Sequence, residues 1–318
     1  MEKILLASPR GFCAGVSRAV KTVEDALALF GPPVYIKHEI VHNATVVKDL
    51  ERRGAVTVEN AKSIPEHSVV VFSAHGSPPQ DYEIAREKQC TLIDATCPLV
   101  SKVHLEMHRF LKDGFSVLYI GHKNHPEGIG VMGEAKHHAG KDIPLIESEE
   151  DVERLSFLPE EKLAFLTQTT LSLSETEKII AALKRKYPHI VAPPGKDICY
   201  ATTNRQNAIT SLAKKCDLIL VIGSKNSSNS NRLAETARAE GVPAFLIDGA
   251  EDIDPAWLEQ KHTVGISAGA SAPESRVQDV VSFFKKQGAS VENHTFIVES
   301  TRFPDPPELK KLWERKKP

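Results

Sequence analysis

Three short stretches carry residues able to do chemistry, and all three have the same shape. Gly11-Phe12-Cys13-Ala14-Gly15-Val16 follows the apolar run Ile4-Leu5-Leu6-Ala7, and Asp94-Ala95-Thr96-Cys97-Pro98-Leu99-Val100-Ser101 follows Thr91-Leu92-Ile93. The third, Asp197-Ile198-Cys199-Tyr200-Ala201-Thr202-Thr203-Asn204-Arg205, opens a helix-like segment. Each places a cysteine at a helix start, most plainly at Cys97, because Pro98 is best tolerated in a first helical turn. The exposed N–H groups and positive dipole end there favour a thiolate, the form that ligates metals or attacks electrophiles. A lone cysteine reads equally well as a small buried hydrophobe, and Cys90 and Cys216, outside the repeated pattern, are read that way. The spacing from 13 to 97 to 199 is far too wide for a zinc knuckle or a ferredoxin run. It suits one ligand from each of three repeated units.

The elements that must position these cysteines follow a repeating order of short strand and helix. Val34-Tyr35-Ile36 precedes the loop holding His38 and His42, a helix is expected from Thr45 to Arg53, and Val69 to Phe72 precedes His75. Val117 to Ile120 then precedes His122, His125 and Glu127, and Leu163 to Leu166 precedes Thr169. Leu218 to Ile222 precedes Ser227, Ser228 and Asn229, and Val264 to Ile266 precedes Ser271. His42, His125 and Asn229 keep step with the cysteines, as do His75, Thr169 and Ser271. The expected fold class is α/β, with polar loops at the carboxyl ends of parallel strands. The units are placed at 14–96, 97–197 and 198–281, with segment 1–13 joining the third and 282–318 forming a C-terminal tail.

Composition narrows the function classes. The 318 residues are 41% hydrophobic and 26% charged, ordinary for a globular protein of two or three domains. With 40 Lys and Arg against 42 Asp and Glu, no overall field attracts nucleic acid or anionic lipid. No stretch reaches membrane-spanning length, and the apolar run at Ile4 to Ala7 is too short for a signal peptide. Five cysteines, an odd number, do not make a disulfide framework and suit a reducing, cytoplasmic setting.

Three thiolates around one site leave two metal readings open: zinc completed by a histidine, or a cubane iron-sulfur cluster with one iron lacking a protein ligand. The second offers both electrons and a Lewis-acid position. His42, His75 and His125 can hydrogen-bond a phosphate, while Thr169, Ser227, Ser228, Asn229 and Ser271 add hydroxyl and amide groups for multipoint oxyanion binding. The run from Lys225 to Asn231 also reads as a helix N-cap loop. Glu127 stands beside the in-register His125 in His125-Pro126-Glu127, and in a dry pocket its raised pKa would suit it to deliver protons. His38, His122, His137 and His138 fall outside the register and read as surface or supporting residues. With neither a G-x-x-x-x-G-K-[ST] loop nor a G-x-G-x-x-G after a strand, a protein electron donor is expected.

The motifs around Cys13, Cys97 and Cys199, together with Gly121-His122, His125-Pro126-Glu127, Thr167-Gln168-Thr169-Thr170-Leu171-Ser172 and Gly223 to Asn231, resemble those of the 4-hydroxy-3-methylbut-2-enyl diphosphate reductase family. The resemblance runs from about Lys3 to Val281 and leaves the stretch after Ser282 unmatched. It implies a pseudo-threefold cloverleaf of strand-helix units around one [4Fe-4S] cluster per chain, held by Cys13, Cys97 and Cys199. It further implies that His42, His75, His125, Thr169, Ser227, Ser228, Asn229 and Ser271 bind an allylic diphosphate. Glu127, Thr169 and His125 would serve the chemistry. The implied reaction is a two-electron reductive dehydroxylation of (E)-4-hydroxy-3-methylbut-2-enyl diphosphate to isopentenyl and dimethylallyl diphosphates, fed by a ferredoxin or flavodoxin. A zinc hydrolase on the same three cysteines and a non-catalytic iron-sulfur redox sensor are the rival readings. The first would be colourless and active in air, and the second would not bind diphosphates.

Overall fold

The computed structural model describes residues 2–316. In chain order, β1 (Lys3–Ser8), α1 (Ala14–Phe30), β2 (Val34–Lys37), α2 (Ala44–Arg52), β3 (Ala55–Val58), β4 (Val69–Phe72), α3 (Pro79–Glu87) and β5 (Thr91–Asp94) come first. They are followed by α4 (Pro98–Lys112), β6 (Ser116–Ile120), α5 (Pro126–Ala139), β7 (Leu145–Ile146), α6 (Glu149–Arg154), β8 (Leu163–Thr167) and α7 (Leu173–Lys186). The last run is α8 (Tyr200–Ala213), β9 (Leu218–Ile222), α9 (Ser228–Ala239), β10 (Ala244–Ile247), β11 (Thr263–Ala268), α10 (Glu274–Lys286), β12 (Ser290–Thr295) and α11 (Pro307–Lys316).

The strands form three sheets: sheet I in the order β3-β2-β4-β5, sheet II in the order β7-β6-β8, and sheet III in the order β10-β9-β11-β1-β12. Among the described residues every strand pairing within them is parallel. The chain is therefore an α/β protein with three parallel sheets. It divides into two compact units. One comprises Met1–Ser17, His42–Val46 and Tyr200–Arg302 and contains sheet III; the other comprises Arg18–Val41, Val47–Cys199 and Phe303–Pro318 and contains sheets I and II.

Parallel strands need both faces covered, and alternation along the sequence supplies two apolar faces. In sheet III, Ile4, Leu6, Leu218 and Leu220 pack with Val277 and Phe284 of α10. The intervening Leu5, Ala7, Ile219 and Val221 pack with Ile209, Leu212 and Leu233 of α8 and α9. Sheet II repeats the arrangement, with Leu118 and Phe165 against Ile179 and Leu183 of α7, and Val117, Tyr119 and Leu166 against Val103, Met107 and Val131 of α4 and α5. Full burial of each such Leu, Ile or Phe is worth about 1.5–3 kcal/mol.

The three sheets share one strand order. In each, the first strand of the run (β2, β6, β9) is flanked by the second (β3, β7, β10) and the third (β4, β8, β11). Beside the third lies a further segment leading to a cysteine: β5 before Cys97, β1 before Cys13, and in sheet II the bridge of Val191 to Ala164 before Cys199. Strand order reverses at the first strand, with the second added on one side and the third on the other, which makes the loops after the first and third strands a switch point where α/β sheets bind ligands.

The stretch after Ser282 differs from the expected tail. Residues 282–286 complete α10, β12 adds to the edge of sheet III beside β1, and α11 packs near β5. Asn204 Nδ2 donates to Glu299 Oε1 at 3.0 Å and Arg18 Nε to the Pro304 carbonyl at 2.7 Å. Among the described residues no helix is long and apolar enough to cross a membrane.

Candidate active site

Each cysteine of the triplet sits at a helix start: Cys13 directly before α1, Cys97 as the N-cap of α4, and Cys199 directly before α8. All three are part-buried thiols. One hydrogen bond recurs in all three sheets. The backbone N–H of Cys13 donates to the Ala270 carbonyl at 3.2 Å, that of Cys97 to Ala74 at 3.0 Å, and that of Cys199 to Thr169 at 3.0 Å. Every acceptor lies in the loop after the third strand of its own sheet, so each cysteine is registered on the loop that carries Ser271, His75 or Thr169. Arg205, buried in α8, donates from Nη2 to the Gly11 carbonyl at 2.8 Å and pairs with Glu299 at 3.1 Å, fixing the turn ahead of Cys13. That residue went unassigned in the sequence because its partner lies 94 residues away.

In the unit built on sheet III, the loops after β9 and β11 bring hydroxyl and amide groups together. Ser227 is the N-cap of α9, its Oγ accepting from the Ser230 N–H at 3.3 Å and lying 3.4 Å from Ser271 Oγ. Ser271 Oγ donates to the His42 carbonyl at 2.9 Å, and Ser224 Oγ accepts the Ala44 N–H at 3.1 Å. Asn229 is only 5% exposed, yet neither its Oδ1 nor its Nδ2 has a hydrogen-bond partner. An amide buried without partners costs about 1–3 kcal/mol, so the hydrogen-bonding capacity of this one is left unused within the protein. Gly269 permits the close approach of α9: a Cβ there would collide with Ser230 Oγ and reach within 3.4 Å of Asn229 Nδ2. Ser228 opens α9, where exposed N–H groups and the helix dipole favour an anion.

In the other unit, α5 and the loop after β8 build a different kind of group. Pro126 starts α5 behind His125, whose Nδ1 accepts the Glu127 N–H at 3.3 Å as an N-cap. Glu127 is 1% exposed, with Oε1 accepting the Thr169 N–H at 2.7 Å and Oε2 accepting Thr169 Oγ1 at 2.8 Å. Burial pushes its carboxyl up to about 7, against the two hydrogen bonds from Thr169 and with help from the negative charge of Asp197. The His75 and His125 rings meet edge to face at 6.1 Å, and His38 meets His75 at 5.7 Å. Gln168 and Tyr119, not singled out by the sequence, complete the group. Gln168 Oε1 accepts the His122 N–H at 3.0 Å, and the Tyr119 hydroxyl is buried without a hydrogen-bond partner. Gly121 is required beside that ring, since a Cβ would lie 2.5 Å from Tyr119 Cε1.

Cys90 and Cys216 are part-buried rather than fully buried, at the margins of apolar clusters. Burial pushes the Cys216 thiol up to about 12, which makes it inert.

A family model described as LytB protein matches residues 4–285. The chain belongs to the LytB family. Among its relatives, the 4-hydroxy-3-methylbut-2-enyl diphosphate reductase of Actinobacillus succinogenes is 51% identical over 309 residues, covering 97% of this chain and 98% of the relative. The protein of the same name from Nitrosomonas europaea is 48% identical over 316 residues, covering 96% of this chain and 97% of the relative. The solved structure of the E-1-hydroxy-2-methyl-but-2-enyl-4-diphosphate reductase from Plasmodium falciparum matches with a TM-score of 0.95 at 40% identity, covering 99% of both chains. A second solved reductase, described as the terminal enzyme of the non-mevalonate pathway, matches at 32% identity with a TM-score of 0.65, over 90% of this chain and 100% of that one. LytB likeness thus extends past Ser282, where the motifs alone show none, because relatives cover up to 97% of the chain.

Proposed function

We propose that the chain acts as a 4-hydroxy-3-methylbut-2-enyl diphosphate reductase, catalysing the terminal step of the non-mevalonate pathway. The observation that carries this reading is the likeness to reductases over nearly the whole length of both partners. Cys13, Cys97 and Cys199 are assigned as ligands of one [4Fe-4S] cluster. The donor chemistry fits: three thiols occupy equivalent helix starts and none forms a disulfide. When bound, such a cluster supplies electrons and a Lewis-acid position at the iron without a protein ligand.

The chain's own residues divide the remaining work. Asn229, Ser227, Ser228 and Ser271, with His42, His75 and His125, are assigned to the diphosphate. Their neutral hydroxyl, amide and imidazole groups spread its charge over many hydrogen bonds. Glu127, protonated near neutral pH by its burial, donates a proton to the departing hydroxyl, and the Thr169 hydroxyl holds that carboxyl in place. Reduction consumes two electrons and two protons, one leaving with the hydroxyl as water and the other ending on carbon, giving isopentenyl and dimethylallyl diphosphates. A ferredoxin or flavodoxin is the proposed electron source, supported by the lack of a nucleotide-phosphate loop in the sequence. The three repeated strand orders likewise support reading 14–96, 97–197 and 198–281 as related units.

The test is anaerobic turnover of the purified, iron-loaded chain with the hydroxylated diphosphate and an artificial reductant. Formation of the two five-carbon diphosphates supports the reading. A chain that carries iron and sulfide yet leaves the substrate intact overturns it.

A further inference from the structure

Away from these loops, α4 and α5 carry a cluster of imidazoles around one carboxylate that the reductase chemistry does not use. His104 and His108 stand one turn apart on α4, and Glu134 and His138 stand one turn apart on α5. His108 Nε2 lies 2.8 Å from Glu134 Oε2, and His138 Nε2 lies 3.4 Å from the same oxygen. The other oxygen, Oε1, is held by His104 Nδ1 at 2.9 Å. His104 is itself pinned, because a Cβ on Gly76 or Gly130 would stand 2.9 Å or 3.2 Å from its ring.

We propose that His108, Glu134 and His138 form a binding site for a divalent cation of the zinc class. Two imidazole nitrogens and a carboxylate oxygen are the donors such ions prefer when no thiolate is present. Their three donor atoms all lie within 4.8 Å of one another. Ligands at the usual 2.0–2.1 Å from tetrahedral zinc are separated by about 3.3 Å, so small side-chain adjustments open the space. His104 is the supporting residue, turning Oε2 of Glu134 toward the ion by occupying Oε1, as outer partners of metal carboxylates do. Access is open: the His108 and His138 side chains are 36% and 44% exposed, on a cavity of about 470 Å³. Water from that side completes the fourth position. An ion there ties the helix that begins at Cys97 to the helix that begins beside His125.

The experiment is equilibrium dialysis of the iron-sulfur-loaded protein against zinc under anaerobic conditions, with zinc X-ray absorption on the same samples. One zinc per chain is expected, with a shell of nitrogen and oxygen near 2.0–2.1 Å and no sulfur near 2.3 Å. His108→Ala with His138→Ala should abolish that zinc while iron content and turnover stay at parent levels. His104→Ala should weaken it by about 10- to 100-fold, the usual effect of removing an outer partner. Unchanged zinc uptake in the double variant, or a sulfur shell showing that zinc sits on cysteines, would overturn the proposal.

Discussion

Asn229 and Glu127 are both buried polar side chains placed by the loops after corresponding strands, yet their hydrogen bonding is opposite. Asn229 has no partner on either amide atom, whereas both oxygens of Glu127 are taken by Thr169. An unsatisfied buried amide holds hydrogen-bonding capacity in reserve for a ligand, at a cost in the empty protein. A satisfied, desolvated carboxyl has little left for binding but holds a proton that water would have taken from it. Under the proposed function the difference separates substrate capture in the sheet III unit from proton delivery in the other, and it teaches that burial alone does not assign a role. What burial leaves unpaired does.

The largest expected effect removes the chemistry common to both halves. Serine at Cys13, Cys97 or Cys199 should strip iron and abolish turnover, whereas Cys90→Ser and Cys216→Ser should retain both; iron and sulfide analysis of each variant decides. Next comes Glu127→Gln, which keeps the acceptor for Thr169 and loses the acid. Turnover should fall by roughly 10² to 10⁴, the span for a general acid, with substrate affinity retained. If affinity collapsed instead, Glu127 would belong with the binding group and the division would fail. Asn229→Ala should do the converse and weaken substrate binding by about 1.5–3 kcal/mol, the range for hydrogen bonds to a charged group. Calorimetric titration measures it. The same variant should leave the substrate-free protein as stable as the parent or more so, because an unpaired amide has gone. A clear loss of thermal stability would mean that the Asn229 amide is satisfied in solution.

The last effect is on stability against pH. The Glu127 carboxyl stands near 7 in the folded chain and near its ordinary 4.5 when unfolded. Between those values the folded state binds the extra proton, so this group makes stability fall as pH rises from about 4.5 and level off above about 7. Denaturant titrations of parent and Glu127→Gln across that window should differ in slope, with the variant lacking this fall. Parallel slopes would place the Glu127 proton elsewhere.

Much of this was legible in the sequence because the relevant strands are interior or lead directly to a motif. Ile4 to Ala7, Val69 to Phe72, Val117 to Ile120 and Leu218 to Ile222 are continuous apolar runs, as strands buried on two faces must be. The strands β3, β7 and β12, which are short or interrupted by polar residues, lie at sheet edges, as does β10, an apolar run that leads to no motif. Of these, β12 is the clearest case: Ser290–Thr295 reads SVENHT and is largely exposed, so only pairing with β1 defines it as a strand. Side-chain roles set by distant partners were equally hidden. Arg205 looks like a helix-surface cation until Glu299 and the Gly11 carbonyl are placed against it. His104 and His108 carried no motif, and only the packing of α4 on α5 brings them to Glu134.

The most direct test of the division between capture and proton delivery is the pH dependence of turnover at saturating substrate, for the parent and for Glu127→Gln. If Glu127 is the acid, parent turnover falls as pH rises through about 7, because the carboxyl ionises there. The variant is slow, and its profile is flat across the same range. A variant that keeps the parent's inflection near 7 would contradict the assignment, since the titrating acid would then be another group.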